Sequence, residues 1–257
     1  MLRWLAALLL GAAPATANPV TIPGDPPLKA ELSLPAMPAA GPAVVGLHGC
    51  GGPAPARSGQ WRDVLAAAGH AVLLPDSFGS RGLGPQCRNA DRSVRATVER
   101  RDDALVAAEW AKSQPYARGG VVLLGWSNGG TTALAAAGAA KPGQLRGIVA
   151  FYPGCRVFLD RPMWRPAAPT LILIGEADDW TPAEPCRELA ARFPGQITLV
   201  TYPGAYHGFD APDFPVQQRR GLAFTASGTG TAHVGTDPTG RADALRRVPA
   251  FIAGLPP

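Results

Sequence analysis

The stretch VVLLGWSNGG, residues 121–130, ends a run of β-branched and leucine residues in a serine set among glycines. Neither a strand nor a helix interior favours those glycines. A sharp strand-to-helix turn does, because the residues two before and two after its apex crowd each other; here these are Gly125 and Gly129. Ser127, at that apex, would project its hydroxyl from the sheet beside the positive end of the following helix, where developing negative charge is favoured. A serine hydroxyl is a poor nucleophile until a base takes its proton and an acid orients that base. The chain supplies both, in the order Ser, acid, His.

The acid candidate is Asp178 in LILIGEADDWTP, three residues after the glycine that ends an apolar run. Asp179 is the neighbour that could substitute, and Glu176 is a third option. The base candidate is His207 in YPGAYHGFD, just after the next apolar run. Of the other histidines, His48 and His70 belong to different elements, and His233 in GTAHVGTD is the competitor that also follows Asp178. A glycine-rich loop, LHGCGG at 47–52, leaves backbone N–H groups free to face a tetrahedral oxyanion. The expected donors are the amides of Cys50 and Asn128.

The elements that must hold these groups are legible as short continuous apolar runs. AVVGLHG (43–49), AVLLPD (71–76), GVVLLGW (120–126), GIVAFYPG (147–154), TLILIGEAD (170–178) and QITLVTYPG (196–204) read as strands buried on both faces of a parallel sheet. Helical segments are expected at 59–69, 92–114, from the serine turn to about residue 140, near 183–192 and near 241–254. The proline-rich residues 18–42 suit an extended entry or edge strands, and 208–237 reads as loop with a short strand. Alternating strands and helices make one α/β domain with a doubly wound, mostly parallel sheet. Ligands then bind beyond the carboxyl ends of the strands, where Ser127 is placed.

With 257 residues, 46% of them hydrophobic and 17% charged, the chain can build one large core. The net charge of +5 is modest, and the arginines of VRATVERRDD alternate with acids, as on a solvated helix face. That pattern argues against a nucleic-acid groove. The opening MLRWLAALLLGAAPATANPV has a basic residue, an apolar run and a small-x-small site at Ala15-Thr16-Ala17, so residues 1–17 read as a signal peptide. The mature chain is then exported, to the periplasm or beyond, with no membrane attachment after cleavage. Four cysteines, Cys50, Cys87, Cys155 and Cys186, match no zinc spacing and imply two disulfides with three pairings open.

With VVGLHGCGG, LAAAGHAVLLPDSFGSRG, LLGWSNGG, IGEADDWTP and YHGF in place, the chain resembles the dienelactone hydrolase family of α/β-hydrolases, particularly its exported branch. The resemblance implies a single α/β-hydrolase domain without a large lid, acting on small-molecule esters or lactones with no metal or organic cofactor. The family's catalytic positions fall on Ser127, Asp178 and His207. Dienelactone hydrolases proper use cysteine where this chain has Ser127, so the expectation is a serine carboxylesterase and not dienelactone turnover. The resemblance also implies the pairs Cys50–Cys87 and Cys155–Cys186, pinning the oxyanion loop and the acid loop.

Arg81, in SFGSRG, is placed where it could meet a substrate carboxylate, or it is a surface loop residue. Trp126, Trp180 and Tyr206 could ring a cleft suited to a long or aromatic polymer, or pack locally. The same site could serve a polyester depolymerase, an acyltransferase or a peptidase. A chain of this pattern could also be an exported binding protein on a retired hydrolase scaffold.

Overall fold

In the computed structural model, residues 16–39 and 41–256 are described. All but the last two residues of the expected signal peptide lie outside them. Eight strands form one sheet: β1 (Ala17–Ile22), β2 (Leu28–Ser33), β3 (Ala43–Leu47), β4 (Val72–Pro75), β5 (Val121–Trp126), β6 (Gly147–Phe151), β7 (Thr170–Gly175) and β8 (Ile197–Tyr202). Their order across the sheet is β1-β2-β4-β3-β5-β6-β7-β8. From β4 to β8 every pair is parallel, and β3, β5, β6 and β7 are buried at every position, as continuous apolar runs require. The proline-rich entry is an antiparallel hairpin, β1 against β2, added at the edge beside β4. An edge is where a strand carrying Pro19 is tolerated.

The helices are α1 (Pro55–Ala67), α2 (Glu99–Lys112), α3 (Asn128–Ala137), the short α4 (Arg156–Leu159), α5 (Glu184–Arg192) and α6 (Pro238–Ala253). The chain winds one way from β3 to β4 and the other way from β5 onward. Right-handed crossovers therefore put α1 on one face, where it meets α6, and α2 and α3 together on the other. The reversal opens a crevice between the carboxyl ends of β3 and β5. The loop carrying Cys50 and the turn carrying Ser127 leave the sheet there.

Four expectations are corrected. The helix expected over 92–114 starts at Glu99, because Glu99 Oε2 turns back to accept the Arg95 amide (2.8 Å) while Val94 and Ala96 bury as loop residues. The ERRDD run is not wholly a solvated face. Arg100 and Asp103 are buried, Arg100 on the stripe of Ala104, Ala107, Ala108 and Ala111 that packs inward. Residues 208–237 hold a two-stranded antiparallel ribbon, β9 (Gln217–Arg219) and β10 (Ala232–Val234). α6 begins three residues earlier than expected, because the Asp237 carboxylate accepts the Gly240 amide (2.6 Å) and Pro238 takes the first helical position.

Candidate active site

Ser127 sits between β5 and α3 with φ 56° and ψ −117°, a conformation that costs a non-glycine residue about 1–3 kcal/mol. The turn is tight enough to demand its flanking glycines. A Cβ on Gly125 would run into the carbonyl of Gly129, and one on Gly129 into the carbonyl of Leu47. The Ser127 amide donates to the Phe151 carbonyl of β6 (2.9 Å), which anchors the strained residue to the neighbouring strand.

His207, buried in the loop after β8, places Nε2 2.9 Å from Ser127 Oγ. Its Nδ1 lies 2.8 Å from Asp178 Oδ2 in the loop after β7. The buried Asp178 is held by its own loop: Oδ1 accepts the amides of Trp180 (2.9 Å) and Thr181 (2.8 Å), and Oδ2 accepts the Thr181 hydroxyl (3.1 Å). Three loops at the carboxyl edge of the sheet thus bring together the serine, histidine and carboxylate that the sequence singles out. The alternatives are placed elsewhere. Asp179 pairs with His233 Nδ1 (2.8 Å) in a half-exposed couple that ties β10 to the acid loop, and Glu176 accepts from Arg187 and Thr201 at the surface.

On the other side of Ser127, Gly49 to Gly52 form a tight turn with Gly52 at φ 85°. Among the described residues, no group accepts a hydrogen bond from the amide of Cys50 or of Asn128. Cys50 is bonded to Cys87 and Cys155 to Cys186, closing loops with sequence separations of 37 and 31 residues. The Cys50 carbonyl accepts the Gln86 amide (2.7 Å), so bond and hydrogen bond together hold the glycine turn against the loop at 84–88.

Two charged residues that sequence reasoning missed support this site from within. Asp210, fully buried three residues after His207, accepts from the Trp61 indole (2.8 Å), the Trp126 indole (3.0 Å) and the Tyr152 hydroxyl (2.7 Å), with Arg57 Nε at 3.3 Å. Those partners meet the cost of burying a carboxylate. Burial holds the Tyr152 hydroxyl far above its ordinary pKa, so it remains a donor, and its ring lies 4.5 Å from that of His207. The second is Arg100 on α2, which donates to the Asn128 side-chain oxygen and to the His48 carbonyl (2.7 Å). Burial, with Arg100 nearby, lowers the His48 pKa, which keeps that ring neutral at pH 7.

A cleft of about 700 Å³ opens over Ser127 and His207. Cys50, Tyr152 and Trp180 line it, together with Arg57, Arg88, Arg219 and Arg220, and no carboxylate does. Of the aromatic residues expected around it, only Trp180 borders the cleft. Trp126 is buried because its indole N–H is committed to Asp210, and Tyr206 packs on the His233 ring at 5.0 Å outside the lining. Arg81 also misses the cleft: Asp103 takes its guanidinium in a bidentate pair (2.8 Å for each bond).

The sequence model of the dienelactone hydrolase family matches residues 28–252. The chain belongs to this family. As a member it is an α/β-hydrolase, and solved structures with similar folds agree. The dienelactone hydrolase of Anabaena variabilis is 18% identical with a TM-score of 0.68, the similarity covering 95% of this chain and 99% of that one. A dienelactone hydrolase-like promiscuous phosphotriesterase from metagenomic libraries is 21% identical at TM-score 0.69, covering 95% and 99%. The esterase of the archaeon Pyrobaculum calidifontis is 20% identical at TM-score 0.61, covering 92% and 85%. No curated protein matches the chain. Among the described residues, no helix of this dienelactone hydrolase family member is long and apolar enough to cross a membrane.

Proposed function

We propose that the protein is an exported serine hydrolase of carboxylic esters or lactones, working through Ser127, His207 and Asp178. The observation that carries this reading is the relay from Ser127 Oγ to His207 Nε2 (2.9 Å) and from His207 Nδ1 to Asp178 Oδ2 (2.8 Å), opening on the crevice where the winding reverses. As Ser127 Oγ bonds to the substrate carbonyl carbon, its proton passes to His207 Nε2 and the carbonyl π pair becomes an oxyanion. The amides of Cys50 and Asn128 receive that charge, and Asp178 holds the imidazolium. Collapse expels the alcohol, which takes the proton from His207. Water then repeats the cycle on the acyl-enzyme, releasing the acid and restoring Ser127.

The four cleft arginines, with no carboxylate among the lining residues, favour an ester that carries an anionic group away from the scissile bond. Arg88, Arg219 and Arg220 are exposed and outside every ion pair among the described residues, so they are the ones available to it. With Trp126 and Tyr206 away from the cleft, a long aromatic polymer finds less support. The leader-like first 17 residues and the two disulfides support export.

The test is labelling of the purified protein with a fluorophosphonate, the adduct located by peptide mass spectrometry. Labelling of Ser127, absent in Ser127→Ala, with a kcat for ester hydrolysis lower by at least about 10⁴-fold in that variant, is the expected result. Folded protein that neither labels nor hydrolyses would instead be a binding protein on a hydrolase scaffold.

A further inference from the structure

Arg100 is an arginine with 1% exposure at the start of α2, under the active-site edge of the sheet. Its terminal nitrogens reach both halves of the oxyanion site. One donates to the carbonyl of His48, two residues before Cys50, and the other to the side-chain oxygen of Asn128. The guanidinium carbon lies over the Phe78 ring, 4.9 Å from its centroid, a cation–π contact that supports the buried charge. The two carboxylates whose charges reach it, Asp103 and Asp76, are already engaged. Asp103, one turn along α2, is held bidentately by Arg81, and Asp76 faces His48 at 3.4 Å. No carboxylate of the described residues lies within ion-pair distance of Arg100, and its Nε is buried without a partner.

A buried cation without a counter-ion is costly, and a fold keeps one only where something compensates. Two acceptors on the loops that carry the candidate oxyanion donors do so in part. We propose that Arg100 is the positioning residue of the oxyanion site: it locks the His48–Cys50 turn against the Asn128 end of α3, and its charge favours the oxyanion that forms between them. This rests on the hydrolase reading above. Burial pulls the guanidinium pKa down to about 9, so it remains a cation at neutral pH. The Asn128 side chain then has a role separate from its amide: it is the point where Arg100 grips the elbow.

The test compares Arg100→Met and Arg100→Lys with wild type in three measurements: hydrolysis of p-nitrophenyl acetate, inhibition by a trifluoromethyl ketone that forms a tetrahedral adduct on serine, and thermal unfolding. Misplacing a catalytic group by about 1 Å costs about 100-fold. Folded Arg100→Met should therefore lose about 100-fold in kcat with KM within about threefold, and the ketone Ki should rise by a similar factor. Arg100→Lys, which keeps a charge and one donor, should recover part of both. Unchanged kcat, or a loss of kcat with unchanged ketone Ki, would overturn the proposal and leave Arg100 a structural residue. If Arg100→Met does not fold, Arg100→Lys decides: lower kcat and weaker ketone binding at constant KM support the proposal, and wild-type values of both refute it. Fluorophosphonate labelling of wild type separates the two readings. A wild type that neither labels nor turns over ester removes the hydrolase reading and this proposal with it. A wild type that labels, beside a fully active Arg100→Met, removes this proposal alone.

Discussion

At the scale of single residues, neighbouring aspartates have different environments although the sequence barely separates them. Asp178 is buried, accepts two amides and a hydroxyl, and faces His207; Asp179 is 41% exposed and faces His233. Asp178→Asn should lower kcat by about 10⁴-fold, because the amide cannot stabilise the imidazolium and favours the wrong tautomer. Asp179→Asn breaks an exposed pair worth at most about 1 kcal/mol and should leave kcat within about threefold. Steady-state kinetics of the two variants on one ester checks both, and equal losses would refute the assignment. The positions of Ser127, Asp178 and His207 were legible because chain order and the strand ends constrain them. Asp210 and Arg100 were not, because a carboxylate in HGFD and an arginine in ERRDD look solvated until the partners that bury them are known. A signal was present for Arg100: it stands four residues before Ala104 and seven before Ala107, on the helix stripe that faces the core.

At the scale of elements, the site depends on turns more than on helices. Gly125→Ala and Gly129→Ala each push a methyl group into backbone that cannot move aside, so each should destabilise by about 1–3 kcal/mol or more and reduce labelling of Ser127. Thermal unfolding and probe labelling together check this; an alanine variant with wild-type stability and labelling would show that the elbow has room. The disulfides act on the same loops. By loop-closure entropy each should contribute about 3–4 kcal/mol, so Cys155→Ser with Cys186→Ser should lower the denaturation free energy by about that amount. Their pairing followed from a family resemblance, since four cysteines alone allow three arrangements. The six parallel strands were readable from continuous apolar runs, although the edge strand β8 is buried only at Ile197 and Tyr202. The β1–β2 hairpin and the β9–β10 ribbon were less so, since an edge strand alternates weakly and a three-residue strand leaves almost no period to read.

At the scale of the whole molecule, charge gathers where the cleft opens. A net charge of +5 is too small to dominate association by itself, but Arg88, from a loop, and the Arg219–Arg220 pair, at the end of β9, come to one rim. Arg219 lies over Phe214 at 5.6 Å and Arg220 reaches Gln218, so these side chains are supported without being neutralised. An ester bearing a carboxylate several atoms from the scissile bond should therefore show a lower KM than a neutral ester of the same size. Raising ionic strength from about 0.01 M to 0.15 M shortens the screening length from about 30 Å to about 8 Å, which should erode that advantage while leaving the neutral ester almost unchanged. Arg88→Gln with Arg220→Gln should raise KM for the anionic ester by about tenfold, the equivalent of about 1.4 kcal/mol, and leave its kcat near wild type, because neither residue touches the reacting atoms. Parallel KM values for the two esters at low salt would mean that the rim arginines serve solubility and that specificity is set deeper, around Trp180 and Tyr152.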